Sequence, residues 1–183
     1  ASFHLMLLYL IFALCTVFAW GYFEHEIAQG ALERRGARRF GALWLAALSA
    51  LSLTLSCANL GLMWVSMEAT TLATAFLISL HGGRSALEAM WKYLMLCSVG
   101  IALAFIGVLI LNAASHPGLN WLGLMQAAPG LEPGLIKVSF VFIMIGYGTK
   151  AGLVLMHNWL PDAHSQAPAP VSAMFSDLML NAA

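Results

Sequence analysis

Two ionisable residues lie inside apolar runs that are long enough to cross a membrane. Glu68 lies in the run from Gly61 to Leu80, and Lys150 lies in the run from Leu135 to Trp159. A charge at the centre of a membrane helix costs roughly 2.5–3.5 kcal/mol on insertion scales, so each residue needs a partner or a function. Because a buried acid and a buried base can exchange a proton, the leading hypothesis is an ion or proton pathway.

A structural ion pair between Glu68 and Lys150 is the alternative interpretation of the same two residues. At about 4 Å and an effective dielectric constant near 20, such a pair interacts by about 4 kcal/mol. Opening or closing the pair would therefore be a sizeable electrostatic switch. Gly146 and Gly148 precede Lys150 and are expected to weaken its helix and to let backbone or water approach the amine. Hydroxylated residues that suit close helix packing follow Glu68, namely Thr70, Thr71 and Thr74.

Two histidines follow Lys150 at a heptad spacing. His157 and His164 lie seven and fourteen residues after Lys150, so all three would share one face of a continuous helix. Pro161 should interrupt that helix, which limits the argument to Lys150 and His157. Histidine titrates near physiological pH and suits a proton relay. For His157, a relay and a plain hydrogen bond at a helix end are both open, whereas for His164, close to Asp162, a functional role is favoured.

The composition is that of a polytopic membrane protein. The chain is 61% hydrophobic and only 9% charged, with a mean hydropathy of +0.85, whereas soluble domains carry about 25% charged residues. The formal net charge is zero, so no basic face is available for nucleic acid. The prediction is an integral membrane protein without a nucleic-acid partner.

The hydropathy pattern predicts an all-α transmembrane bundle that forms a single domain over residues 1–183. Five spans are expected near 2–23, 40–57, 61–80, 86–112 and 135–159, with a sixth beginning at about 171. The chain begins at Ala1 and ends within the sixth segment, and we interpret it as a fragment. A short interfacial piece is expected within Ala113–Gly134, a stretch with three prolines, the first of them Pro117. Three later prolines predict an irregular stretch before the sixth span, namely Pro161, Pro168 and Pro170.

The positions of the basic residues predict the orientation. Arginines occupy the loops after the first and third spans, and the stretch 113–134 has no lysine or arginine. The arginine-bearing side is therefore expected to be cytoplasmic, with the amino end outside. Lys137, at the outer mouth of the fifth span, is the one exception.

Several other polar residues are candidate sites. Glu88 and Lys92 are four residues apart and suit an exposed helix pair, although a membrane role for Lys92 is also open. Asp177 is expected to face the bundle, because lipid-facing carboxylates are rare. A zinc site has the right ligand types but no recognisable ligand spacing in His157, Asp162 and His164.

No catalytic or cofactor-binding residue is predicted. The chain contains no GxGxxG, Walker-type loop or CxxCH. The three cysteines show no metal-ligand spacing and are expected in the core: Cys15, Cys57 and Cys97.

Three motifs carry a family resemblance. They are WVSMEATTLATAFLI (Trp64–Ile78), ALEAMWKYLMLCSVGIALAFIG (Ala86–Gly107) and GYGTKAGLVLMHNWLPDAHSQAPAPVSA (Gly146–Ala173). Together they resemble the antiporter-like, proton-translocating subunits of respiratory complex I and group 4 hydrogenases. Within that superfamily, the chain most resembles the F subunits of hydrogenase 4 and formate hydrogenlyase complexes.

The resemblance implies a fold and a set of relay residues. It implies two inverted repeats, of which this chain would hold about the first, with a broken helix after Lys150. The positions that match the family's proton relay are Glu68, Lys92, Lys150, His157, Asp162 and His164. The implied function is a non-redox, proton- or sodium-translocating subunit of an oxidoreductase complex, with other membrane subunits and a peripheral redox arm as partners. A subunit of a multisubunit cation/proton antiporter or inorganic-carbon uptake complex is the alternative, and a purely structural membrane scaffold is a third possibility.

Three positions depart from the family pattern. Leu155 stands where a proline is common, so a weaker kink is expected in the fifth helix. Asn181 replaces a further lysine, and Asp177 replaces a small residue. The part of the relay that leads toward the second repeat is therefore expected to use different residues in this chain.

Overall fold

The structure, a computed structural model, describes residues 2–115 and 118–183. Its helices are α1 (Ser2–Ala28), α2 (Arg34–Ser56), α3 (Leu60–Ile78), α4 (Arg84–Ser115), α5 (Trp121–Ala127), α6 (Pro133–Ala151), α7 (Leu160–Gln166), α8 (Ala169–Met174) and α9 (Leu180–Ala182). A 3₁₀ turn (Ala128–Gly130) follows α5, and a π-helical turn (Phe175–Met179) joins α8 to α9. Pro117 lies outside the described residues.

Five of these helices can cross a membrane. α1 to α4 and α6 each contain an 18-residue window with a mean hydropathy of 1.3 or more. Large apolar side chains remain exposed on the outside of the bundle, including Val17 at 75% and Trp20 at 73%. A face of this kind is stable in lipid and not in water. The predicted all-α membrane bundle is therefore confirmed, and the chain is an integral membrane protein.

Side-chain caps set the starts of α3 and α6. The Asn59 side chain accepts a hydrogen bond from the backbone N–H of Leu62 at 3.0 Å and begins α3. The Glu132 carboxylate caps the first turn of α6, immediately before Pro133. Both arrangements satisfy backbone N–H groups that have no partner within their helix.

The connections before α3 and before α5 pair with each other. The backbone N–H of Trp121 donates to the carbonyl of Ala58 at 2.8 Å, and that of Leu60 donates to the carbonyl of Leu119 at 2.9 Å. These bonds tie both connections to the same end of the bundle. This end is the one that the arginine distribution predicts to be outside. The expected short piece is the helix α5, whose Leu122 and Met125 are exposed.

Helices α4 and α6 pack antiparallel at very short range. A Cβ atom on Gly146 would lie 2.5 Å from the backbone nitrogen of Ala104 and 2.6 Å from the carbonyl oxygen of Gly100. Small residues allow this approach of two membrane helices. Of the two approaches expected at the glycines before Lys150, backbone or water, Gly146 admits the backbone of α4.

The fifth span ends earlier than the sequence suggested. α6 stops at Ala151 instead of near Trp159, because Gly152 adopts a left-handed conformation with φ 72°. The N–H groups of Gly152 and Leu153 bond back to the carbonyls of Thr149 and Gly148, which is a Schellman-type helix end. The helix is thus broken after Lys150, as expected. Leu155, the position at which a weaker kink was expected, lies beyond this break, because Gly152 ends the helix without a proline at position 155.

The prolines after α6 begin helices. Pro161 lies in the first turn of α7, and Pro170 lies in the first turn of α8. Proline is favoured there because the first-turn N–H groups have no partner within the helix. The irregular stretch is therefore confined mainly to residues 152–159, and the sixth segment begins at Ala169.

Candidate functional site

Lys150 is the centre of the candidate site. Its side chain is completely buried, at 0% exposure. The ammonium group Nζ donates to Thr71 Oγ1 at 2.9 Å and to the Tyr93 hydroxyl at 2.7 Å. It also lies 4.9 Å from the centre of the Tyr93 ring, which is a cation–π distance. Lys150 therefore reaches from the end of α6 to both α3 and α4.

Further polar groups surround the Tyr93 hydroxyl. Thr74 Oγ1 lies 2.7 Å from the phenol oxygen, and Met179 Sδ lies 3.5 Å from it. Tyr93 and Thr74 are both buried. Tyr93 was not predicted as a site residue, although it directly follows Lys92. The only sequence signal for this group was the row of hydroxyls on α3.

Glu68 lies one helical turn before Thr71 on α3. Ser98 Oγ donates to Glu68 Oε1 at 2.7 Å. The other carboxylate oxygen, Oε2, is buried and has no hydrogen-bond partner. Ser98 was not predicted as a site residue. The carboxylate thus keeps one oxygen available to a proton, water or cation.

Glu68 and Lys150 are not in direct contact. Among the described residues, no ion pair within 4.0 Å joins them. The hydrogen bonds of Lys150 go to Thr71 and Tyr93, and the one hydrogen bond of the Glu68 carboxylate comes from Ser98. The two predicted charges are close along the bundle but are held by separate neutral hydroxyl groups.

Lys92 and Asp162 form a second polar cluster. Lys92 Nζ lies 2.9 Å from Asp162 Oδ2 and 2.8 Å from Glu88 Oε1, which confirms the pair predicted within α4. The contact with Asp162 was not predicted and joins α4 to α7. The Lys92 side chain is 48% exposed, so water and salt screen this ion pair and it contributes little to stability.

The two histidines are separated from Lys150. His157 lies in the irregular stretch and is exposed, so the heptad argument fails where α6 ends. His164, on α7, pairs its Nδ1 with Ser172 Oγ at 2.6 Å and sets its ring edge-on to Phe175. Neither histidine contacts Lys150 in the structure.

The zinc hypothesis gains no support from this geometry. His157 is exposed, Asp162 pairs with Lys92, and His164 pairs with Ser172. Across residues 2–115 and 118–183, no group of three His, Cys, Asp or Glu side chains is placed to hold a metal ion. The three proposed ligands are not brought together.

Asp177 lies at the surface of the bundle. Its exposed side chain lines a groove of about 210 Å³ together with His4 and Asn181. Asp177 was expected to face the bundle, and its side chain is exposed in this groove, which α1 and the π-helical turn line. The expected core placement of cysteine holds for Cys15 and Cys97, whereas Cys57 is half-buried.

Trp159 closes the broken end of α6. Its indole N–H donates to the carbonyl of Thr149 at 2.9 Å, and the side chain is fully buried. A backbone carbonyl freed by a helix break inside a membrane needs such a partner. Trp159 therefore stabilises the break beside Lys150.

Replacing Trp159 by phenylalanine should destabilise the bundle by about 1 kcal/mol, because the carbonyl of Thr149 loses its shorter hydrogen bond and keeps only the longer one from the N–H of Gly152. The measurement is the thermal unfolding midpoint of the detergent-solubilised complex. Trp20→Phe is the control, since Trp20 is largely exposed on α1. Equal midpoints for the two variants would show that this hydrogen bond is not needed.

Comparison with known proteins identifies the relatives of this chain. The family described as NADH:quinone oxidoreductase/Mrp antiporter, transmembrane, matches residues 57–183. A hydrogenase-4 component F homolog from Methylacidiphilum infernorum is 40% identical over 175 residues, which are 92% of this chain and 37% of that protein. The chain therefore spans little more than a third of the length of that relative.

Two solved structures share the fold. A chain of the archaeal membrane-bound sulfane sulfur reductase superposes with a TM-score of 0.73 at 28% identity, covering 76% of this chain and 28% of the other. A chain of respiratory complex I from Thermus thermophilus superposes with a TM-score of 0.68 at 29% identity, covering 79% of this chain and 32% of the other. Both relatives are parts of respiratory membrane complexes.

Proposed function

Because this chain belongs to the NADH:quinone oxidoreductase/Mrp antiporter transmembrane family, we propose that it translocates protons or sodium ions within a redox-driven membrane complex. Its own role is that of an antiporter-like membrane subunit, which carries no redox group. Electron transfer in a peripheral arm would drive ion movement through this subunit and its membrane neighbours. The proposed location is the inner membrane of a bacterium or archaeon.

The observation that carries the proposal is a buried amine at the break of a membrane helix. Thr149 packs against Gly100, near the middle of α4, so α6 ends about halfway across the bundle. Discontinuous membrane helices of this kind form ion sites near the midplane of transporters. Lys150 occupies that position, and a charge placed there at such a cost favours a functional role.

The polar groups suggest an order of steps. The ion pair of Lys92 and Asp162 lies toward the predicted cytoplasmic side. These two residues, with His157 and His164, would exchange protons with water. Lys150 would receive the proton at mid-depth, and Glu68 would attract the charged amine when the two approach. At about 4 Å, and at an effective dielectric constant near 20, that approach is worth about 4 kcal/mol. Opening and closing this pair would couple ion movement to changes elsewhere in the complex.

A second function stays open because the matching family includes Mrp antiporters. In a cation/proton antiporter or an inorganic-carbon uptake complex, the same residues would work without electron transfer. Proton flux in proteoliposomes separates these alternatives. The redox-driven function predicts flux only with an electron donor and acceptor, whereas an antiporter predicts flux driven by a sodium gradient alone.

The test of the proposed relay is Glu68→Gln in the assembled complex. The amide keeps the size of the side chain but cannot take up a proton or pair with Lys150, so proton flux should fall about tenfold or more. Flux is measured by the fluorescence of a pH-sensitive dye in proteoliposomes. Glu33→Gln is the matched control, because Glu33 is exposed before α2 and its side chain caps no N–H group.

Normal pumping by Glu68→Gln would contradict the relay and favour a structural carboxylate. Assembly of the variant is checked by the yield of the purified complex. A loss of flux in a fully assembled complex supports the relay.

A further inference from the structure

We propose that Tyr93 is a positioning residue that, together with Thr71, holds Lys150 in its protonated form and apart from Glu68. This inference rests on the proposed ion translocation. It describes the state of the site before Lys150 pairs with Glu68. The site that holds the lysine would be a neutral pocket on α3 and α4 and not the carboxylate. Glu68 would become the partner of Lys150 only after the amine leaves Tyr93.

The direction of the hydrogen bonds around Tyr93 follows from proton counting. Thr74 has a single hydroxyl proton, and its oxygen lies 2.7 Å from the carbonyl of Thr70. Because that carbonyl can only accept, the Thr74 proton points toward it. The oxygen of Thr74, 2.7 Å from Tyr93, must then accept from the phenol. The phenol proton is therefore donated to Thr74, and the oxygen of Tyr93 presents its lone pairs to Lys150.

Thr71 also acts as a hydrogen-bond acceptor toward the Lys150 amine. Its hydroxyl donates toward the carbonyl of Met67 at 3.4 Å, so its oxygen accepts from Lys150. The face of the Tyr93 ring, 4.9 Å from Nζ, is also electron-rich. The two hydroxyl oxygens and the aromatic ring therefore all present electron-rich groups to Lys150. Neither hydroxyl has a free proton that it could donate to the amine.

A pocket of acceptors discriminates between the two forms of lysine. An ammonium group is a pure donor with three N–H bonds, so it matches the pocket. A neutral amine has a lone pair that would face other lone pairs and lose the cation–π attraction. The pocket therefore stabilises the charged form of Lys150 relative to the neutral form.

Other titratable groups also act on Lys150. They are Glu68 on α3 and Cys97 on α4, which act on the amine through their charge and not through a hydrogen bond. The π-helical turn contributes Met179, which does not titrate and contacts the phenol. The neutral acceptors hold the ammonium without cancelling its charge, which keeps Lys150 available for Glu68.

The test measures proton flux against pH in proteoliposomes that contain the assembled complex. Tyr93→Phe keeps the ring and removes the acceptor, so flux should fall about tenfold and the alkaline limb of the profile should move to lower pH by about one unit. Thr74→Val should move the limb in the same direction by a smaller amount, because the phenol proton loses its acceptor. Thr74→Ser keeps the hydroxyl and should restore the wild-type profile.

Unchanged pH profiles in Tyr93→Phe and Thr74→Val would overturn the inference. A fall in flux without a shift of the limb would also overturn it, since that result indicates a structural role. If Tyr93→Phe does not assemble, the comparison of Thr74→Val with Thr74→Ser decides. Lys150→Met separates the proposed ion translocation from the proposed role of Tyr93. If Lys150→Met abolishes flux while Tyr93→Phe and Thr74→Val keep the wild-type profile, only the role of Tyr93 is refuted.

Discussion

Lys150→Met should reduce proton flux through the assembled complex by about a hundredfold, the largest functional effect expected of any single substitution in this chain. Proton-transferring groups commonly contribute factors of 10² to 10⁴ to the reactions they serve. Methionine has a similar length and suits an apolar environment, but it cannot carry a proton or approach Glu68 as a cation. The pathway would therefore lose its charged group at mid-depth while the fold remains close to that of the wild type.

Lys137→Met is the matched control for this experiment. Lys137 lies on the same helix, α6, but its side chain is exposed near the predicted outer mouth. It should therefore retain most of the flux. Electron transfer by the complex is measured in parallel, because a relay defect should uncouple or slow it without loss of assembly. Near-normal flux in Lys150→Met would refute the proposed function.

Gly146→Ala should have the largest effect on stability, a loss of about 3 kcal/mol. The added methyl group would lie 2.5 Å from the nitrogen of Ala104 and 2.6 Å from the carbonyl oxygen of Gly100. Both atoms belong to the backbone of α4 and cannot rotate away, so the two helices must separate. Overpacking of this kind commonly costs 1–3 kcal/mol, and backbone contacts favour the upper end. The end of α6 would move, and Lys150 would move with it.

The measurement is the unfolding midpoint of the solubilised complex. Gly41→Ala is the control, because an added Cβ at Gly41 in α2 meets no atom within 4 Å. Alanine favours a helix over glycine by about 0.5–1 kcal/mol, so the control should be neutral or slightly stabilising. A Gly146→Ala protein as stable as the control would mean that the close α4–α6 approach is not required.

The sequence predicted the long helices well because apolar length is a local property. A run of about 20 apolar residues must become a membrane helix whatever its neighbours are, since lipid offers the backbone no hydrogen bonds. The predicted starts of α3 and α6 therefore lie close to the observed ones at Leu60 and Pro133. The free-energy cost of burying a charge likewise made Lys150 a candidate site residue before its hydrogen-bond partners were known.

The end of α6 was predicted less well because it depends on a backbone conformation. The residues from Gly152 to Trp159 are apolar enough to continue the helix, and hydropathy alone does not distinguish the two outcomes. The left-handed conformation of Gly152 and the indole hydrogen bond of Trp159 end the helix within the bundle. Hydropathy registers neither feature, because one is a left-handed backbone conformation and the other is a single side-chain hydrogen bond.

The sequence by itself thus determined that this is an all-α membrane protein with an acid and a base in its apolar interior. Only the tertiary structure decided which groups hold them: Thr71 and Tyr93 for Lys150, and Ser98 for Glu68. Hydropathy is read along one chain segment at a time, whereas a hydrogen bond joins segments that are far apart in sequence. The partners therefore depend on how the helices rotate and how closely glycines let them approach.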